Sequence, residues 1–252
     1  MALAGCGADA GSDPPAGVQV ETITVESEAV GQSLPVTVAR PEGGRRPLLV
    51  FLHGRGNDDR TYVHEPMLSA LDALGPRAPV VAFPRSSEAS YWHDRGEGAW
   101  ARYVIDEVIP AVVRRFDADP RRVAIGGISM GGFGALDLAR LHRDRFCAAG
   151  GHSAAIWQTG GETAPGAFDD ADDFARHDVV AAARAGEFDG LRLWLDAGDE
   201  DPFLAGQTAF AEAAGVSLRI SPGGHDGAYW DAQWPVYLRF YARALGSANC
   251  GG

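Results

Sequence analysis

"AIGGISMGGFGALDLA", Ala124 to Ala139, sets five glycines around one serine, where a short apolar run meets a helix-forming segment. Glycine costs backbone entropy, so a cluster at one corner marks a backbone path or a close approach that side chains would forbid. The run "RVAIGG" at 122–127 reads as a buried strand, and a helical pattern follows Met130. Gly127-Ile128-Ser129-Met130-Gly131 is thus a G-x-S-x-G sequence in a strand-turn-helix setting, where a serine is carried on a strained, exposed elbow. Glycines two positions either side remove the β-carbons that would clash there. The helix N-terminus adds a dipole favourable to developing negative charge. Gly126, Gly132 and Gly134 are expected to let the following helix pack close against the sheet.

Outward from this corner, short β-rich runs alternate with helical patterns. "VQVETITV" and "LPVTVAR" have period-two character and suggest an antiparallel opening pair. "LLVFLHG" is too apolar to be half exposed and reads as a buried central strand. "PVVAFP" at 79–84, "CAAGGHS" at 147–153, "LRLWLDAG" at 191–198 and "VSLRIS" at 216–221 complete the set. Between them, Trp100, Val104, Ile105, Val108, Val112, Val113 and Phe116 lie on a helical stripe that Pro110 should kink. Further helices are expected after Glu65, Phe203 and Tyr229. Such alternation predicts an α/β fold, with a mostly parallel central sheet of about eight strands and helices on both faces. Two long polar stretches, 85–100 and 156–178, leave the carboxyl ends of predicted strands, where ligands bind in open α/β sheets.

A serine hydroxyl needs a base to take its proton. Where a G-x-S-x-G elbow of this strand-turn-helix kind carries the nucleophile, the acid and then the histidine follow the serine in chain order. His225, in "SPGGHDGAYW", is the only histidine after residue 177 and follows the last strand on a glycine loop. His93 and His152 are kept as pocket residues. The acid must come from "LWLDAGDEDPF", where Asp201 on the loop beyond Gly198 is preferred to Asp199 and then Asp196. For an oxyanion, one backbone N–H is expected from Met130 and a second from the "HGRGND" loop, at Arg55 with Gly56 as alternative. Tyr91, Trp92, His152, Trp157 and Trp230 are candidates to line a substrate pocket.

The points "FLHGRG", "YVIDEVIPAV" leading into "RVAIGGISMGGFGAL", "DAGDEDPF" and "GGHDGAYW" together resemble the esterase D, feruloyl esterase and mycolyltransferase-like family of α/β-hydrolases. The resemblance runs over roughly residues 30 to 245. It implies an α/β-hydrolase fold and a triad that carries over to Ser129, Asp201 and His225, in agreement with the reading of the residues. The insert at 154–190 is short and acidic beside the lids of many relatives, so a long acyl chain would have little to cover it.

The chain has 252 residues, 34 acidic against 22 basic, all of them arginine, for a formal charge of −12. The acidity is spread along the sequence, which argues against nucleic-acid binding. Residues 18–247 are expected to form one domain, with a tether at 1–17 and a tail at 248–252. Leu3-Ala4-Gly5-Cys6 resembles the lipobox of bacterial lipoproteins, although only five residues precede Cys6. A lipidated Cys6 and an extracytoplasmic, secreted or anchored protein are expected, with a cytoplasmic one as alternative. Cys147 and Cys250 fit neither a zinc spacing nor a disulfide scaffold. Cys147 is read as a small buried hydrophobe and Cys250 as part of a mobile tail, with a bridge between them left open.

The expected activity is a serine carboxylesterase acting on small-to-medium acyl or aryl esters through an acyl-enzyme, without cofactor or metal. Acyl transfer to a sugar or lipid hydroxyl is the alternative, and a non-catalytic surface binding module a further one.

Overall fold

The computed structural model describes residues 15–247 and Cys250, and the expectations placed on Cys6 and the start of the tether lie outside them. All eight expected strands form one sheet. They are β1 (Val18–Ser27), β2 (Gln32–Pro41), β3 (Arg46–Leu52), β4 (Val80–Pro84), β5 (Ala118–Ile128), β6 (Ala149–His152), β7 (Leu193–Gly198) and β8 (Leu218–Ser221). Their order is β1-β2-β4-β3-β5-β6-β7-β8. β2 is antiparallel to both its neighbours, and β4, β3, β5, β6, β7 and β8 run parallel. The central strands are buried on both faces, β3 from Pro47 to Leu52 and β4 throughout, as the unbroken apolar runs require.

Two apolar layers flank the sheet. One packs α1 (Glu65–Asp72) and the long α7 (Gly227–Leu245) over Leu49, Phe51 and Val81. In it Trp234, Tyr237, Leu238 and Tyr241 have no exposed surface, each contributing about 1.5–3 kcal/mol of burial. The other holds α2 (100–116), α3 (Met130–Leu141), α5 (Val179–Arg184) and α6 (Leu204–Ala214), with the short α4 (Ala171–Arg176) in the 154–190 insert. The kink expected at Pro110 takes the form of a π-helical turn, Tyr103–Val108, between the α-helical pieces Trp100–Arg102 and Ile109–Phe116. Proline lacks the N–H for an i→i−4 bond, and the widened turn is one way a helix absorbs that loss.

The two long polar stretches lie at the carboxyl ends of β4 and β6 and are bound to each other. Arg95 Nε donates to Asp169 Oδ1 at 3.0 Å, and the Gly96 amide to Asp169 Oδ2 at 2.7 Å. Cys147 is not the free buried thiol expected: it is joined to Cys250 by a disulfide. The start of β6 and the chain beyond α7 converge, and the two Cα atoms are 5.0 Å apart, a distance no sequence spacing reveals.

Two of the glycines near Ser129 serve neighbours other than the expected one. A β-carbon on Gly126 would fall 1.9 Å from the Tyr241 hydroxyl of α7, and one on Gly134 would fall 2.5 Å from Cβ of Trp92. Gly132 does pack as expected, with Ala154 Cα and the Gly127 carbonyl 3.0 Å from the corresponding point.

Candidate active site

Ser129 directly follows β5 and caps α3 with φ 58° and ψ −117°, a conformation that L-residues rarely hold and that costs of order 1–3 kcal/mol. Three backbone bonds keep it there. Its N–H donates to the His152 carbonyl at 2.9 Å, and its own carbonyl accepts from Phe133 and Ala155, both at 3.0 Å. The turn closes because Gly127 and Gly131 have no side chain. Their β-carbons would lie 2.7 Å and 2.0 Å from the Leu52 carbonyl oxygen.

The loops after β7 and β8 bring the expected partners to this serine. His225 Nε2 is 2.8 Å from Ser129 Oγ, and His225 Nδ1 is 3.0 Å from Asp201 Oδ2. Asp201 is buried, and its other oxygen accepts the Phe203 amide at 2.8 Å. The His225 ring is held edge-on between Phe203 and Trp230, with centroids 5.1 Å away on each side. Nδ1–H donated to the carboxylate leaves the Nε2 lone pair facing the hydroxyl, the arrangement in which an imidazole accepts a serine proton. Asp199 and Asp196 stand elsewhere. Asp199 accepts the Gly223 amide at 2.9 Å and so ties together the loops after β7 and β8.

Asp196 is instead the centre of a buried polar knot beneath the elbow. Its Oδ1 accepts from Trp194 Nε1 at 2.9 Å and faces His152 Nδ1 at 2.7 Å. Its Oδ2 accepts from the hydroxyls of Tyr229 at 3.0 Å and Tyr237 at 2.6 Å. His152 Nε2 lies 2.8 Å from the Tyr241 hydroxyl. With its side chain wholly buried in this knot, His152 is not a pocket residue, and it serves the elbow through its carbonyl. The hydroxyls of Tyr229, Tyr237 and Tyr241 are pushed up first by burial and then by the Asp196 charge, so they stay protonated donors.

Among the other expected pocket residues, Trp92 is fully buried, and its Nε1 donates to the His53 carbonyl at 3.1 Å. That makes it a packing residue rather than a substrate contact, held at φ 63° because Gly134 leaves room for its ring. His93 is likewise buried, beside Asp173. Tyr91 is buried as well and packs against Trp157, whereas Trp157 and Trp230 are partly exposed near His225. Tyr91 and Trp157 have centroids 5.5 Å apart, Trp157 meets Phe203 at 5.6 Å, and Trp230 donates to Ser153 Oγ at 3.0 Å. Phe203 was not singled out from the sequence, although it lies two residues past Asp201. A groove of about 300 Å³ runs beside it, lined by Ile156, Trp157, Gln158, Glu162 and Pro202. Burial pushes the Tyr91 phenol up, and the neighbouring Arg55 guanidinium opposes that shift.

The loop after β3 passes close to the serine: a β-carbon on Gly54 would stand 3.5 Å from Ser129 Cβ. The Gly56 amide is engaged, donating to the Glu88 carbonyl at 3.2 Å. Among the described residues the amides of Arg55 and of Met130, the first residue of α3, have no hydrogen-bond acceptor within the protein. His53, at the start of this loop, is buried, and its ring is 3.1 Å from the Ser86 amide. Burial lowers its pKa to about 4, so Nε2 is the acceptor for Ser86.

A family model described as "Putative esterase" matches residues 27–240. "Esterase Rv1288" of Mycobacterium tuberculosis is 28% identical over 251 residues, covering 79% of this chain and 54% of that protein. The chain thus spans about half the length of this curated relative. The S-formylglutathione hydrolase of Paracoccus denitrificans is 25% identical over 88% of this chain and 92% of its own. Among solved structures, a ferulic acid esterase superimposes with a TM-score of 0.76 at 22% identity, over 91% of this chain and 99% of that one. That likeness establishes the α/β-hydrolase architecture.

Proposed function

Because the chain belongs to the Putative esterase family, we propose that it is a serine carboxylesterase in which Ser129, His225 and Asp201 form the catalytic triad. The observation that carries this reading is the hydrogen-bonded line from Ser129 Oγ through the His225 imidazole to Asp201 Oδ2, at 2.8 Å and 3.0 Å. His225 Nε2 takes the hydroxyl proton as Oγ attacks the ester carbonyl. Asp201 holds the ring in the tautomer with Nδ1 protonated and stabilises the imidazolium that forms. The oxyanion is received by the amides of Met130 and Arg55, and each such donor is worth roughly 3–4 kcal/mol to the transition state. The imidazolium then protonates the leaving alkoxide, and a water activated by the same His225 releases the acid from the acyl-enzyme.

Small-to-medium acyl or aryl esters fit the surroundings of the site. Trp157, Phe203 and Trp230 supply aromatic walls, with the buried Tyr91 packed behind Trp157, and the groove beside Phe203 has room for a compact group. The Cys147–Cys250 disulfide supports an oxidising, extracytoplasmic setting, where such bonds persist.

The test is a panel of p-nitrophenyl esters, from acetyl to long acyl, together with aryl esters, assayed on wild type and Ser129→Ala. Hydrolysis of short and aryl esters that falls about 10³-fold or more in Ser129→Ala is expected. No hydrolysis of any ester by wild type would contradict the proposal.

A further inference from the structure

The loop 85–100 and the 154–190 insert meet at a buried group of three side chains outside the Ser129 line. His93 comes from the loop, Asp173 from α4 and His177 from the residue that ends α4. Their side chains are 0%, 1% and 12% exposed. His93 Nε2 is 3.1 Å from Asp173 Oδ2, and His177 Nε2 is 3.8 Å from Asp173 Oδ1. One donor atom from each of the three lies within 4.8 Å of the other two. The chemistry proposed for Ser129 uses none of them.

Packing alone does not account for two imidazoles here. The His93 ring is stacked on Phe168 at 5.2 Å and edge-on to Phe133, a niche an apolar side chain would fill. Among the described residues its Nδ1 has no hydrogen-bond partner.

His177 is oriented from behind. Its Nδ1 is 2.7 Å from Asp137 Oδ2, and Asp137 is fixed on its other oxygen by Arg140 Nε at 2.8 Å. A neutral imidazole that donates Nδ1–H to Asp137 has only a lone pair at Nε2, and that lone pair faces the Asp173 carboxylate. A histidine donating its far nitrogen to a carboxylate is also the outer-shell arrangement that orients metal ligands.

From this geometry we infer that His93, Asp173 and His177 form a binding site for a divalent transition-metal ion of the zinc type, which fastens the 154–190 insert to the 85–100 loop. Two imidazole nitrogens and a carboxylate oxygen are a donor set that zinc accepts, with water in the fourth position. Bonds of about 2.0–2.1 Å in a tetrahedron separate the donors by about 3.3 Å; His93 Nε2 stands 3.1 Å from Asp173 Oδ2, and His177 Nε2 stands 3.8 Å from the other oxygen, Oδ1. Arg176 now donates to Asp173 Oδ1 at 3.0 Å, but its side chain is 63% exposed and is free to swing into solvent as the ion binds. Since the loop carries Tyr91 and the insert carries Trp157, the ion would also fix one aromatic wall of the site.

The experiment uses the tag-free full chain, stripped with EDTA, dialysed and titrated with zinc chloride by calorimetry, with bound metal counted by elemental analysis. One equivalent is expected, together with a Tm rise of roughly 5 °C or more at free zinc 100-fold above the Kd. Asp137→Asn should weaken zinc binding roughly 10–100-fold, and His93→Asn and His177→Asn at least as much. Cobalt(II) added to stripped wild type gives a readout that needs no variant: visible absorption of a tetrahedral nitrogen-oxygen site is expected. Wild type that binds no zinc, or binding left unchanged by both histidine variants, would overturn the inference.

Discussion

The amide of Ser129 donates to the carbonyl of His152 at 2.9 Å, so the strained elbow is tied to the end of the neighbouring strand. His152 in turn is fixed by Asp196, whose two oxygens serve His152, Trp194, Tyr229 and Tyr237. Asp196→Ala leaves three buried polar groups, of His152, Tyr229 and Tyr237, and the half-buried Trp194 without their partner, each buried one with a desolvation cost of about 1–3 kcal/mol, and should lower unfolding stability by about 3 kcal/mol or more. Urea unfolding followed by fluorescence measures it. A loss under about 1 kcal/mol would show that water or relaxation replaces the knot.

Gly131→Ala places a β-carbon 2.0 Å from the Leu52 carbonyl oxygen, a backbone atom that cannot step aside. The elbow should open and ester hydrolysis fall at least about 100-fold, since small misplacements of reacting groups carry penalties of that size. Gly161→Ala, where the new carbon meets nothing within 4 Å, is the matched control and should retain wild-type activity.

The Cys147–Cys250 bond closes a loop with a sequence separation of 103, for which chain entropy gives about 4–5 kcal/mol and measured bridges nearer 2–4 kcal/mol. Replacing both cysteines by serine should lower Tm by roughly 5–15 °C at 2–4 °C per kcal/mol. Thermal melts of wild type with and without reductant should reproduce that difference. Identical melts would mean that the bridge adds nothing to the fold.

His53 gives the protein a pH-dependent stability term. Its folded pKa is about 4 against the ordinary 6.5, so between those values the unfolded chain binds the proton and the folded one does not. Its contribution is therefore complete above pH 6.5 and is lost as pH falls toward 4, by roughly 3 kcal/mol in all. The difference in unfolding free energy between pH 7 and pH 4.5 should be smaller in His53→Gln than in wild type. Equal differences in the two proteins would remove His53 from the account.

Much of this was readable in the chain because order and period carry it. The eight apolar or alternating runs became eight strands, and Ser129, Asp201 and His225 follow the carboxyl ends of β5, β7 and β8, which parallel topology brings to one edge of the sheet. What the sequence hid depends on the third dimension. Trp92 and His152 sit in stretches that leave strands toward the site, yet they turn beneath it, because Gly134 admits one ring and Asp196 captures the other. Cys147 and Cys250 meet only after α7 has crossed its face of the sheet. His93 and Asp173 are 80 residues apart, so their pairing has no local signal.

The central claim is that Ser129 becomes acylated while His225 supplies the base, and trapping the intermediate tests it most directly. Wild type incubated with a fluorophosphonate, which stops at the covalent stage, should gain one adduct by intact-protein mass spectrometry. Peptide mapping should then place that adduct on the segment holding Ser129. Ser129→Ala should gain none, and His225→Ala should label at least about 10³-fold more slowly, because its hydroxyl has lost its base. Stoichiometric labelling of Ser129→Ala, or an adduct mapped to another residue in wild type, would contradict the account.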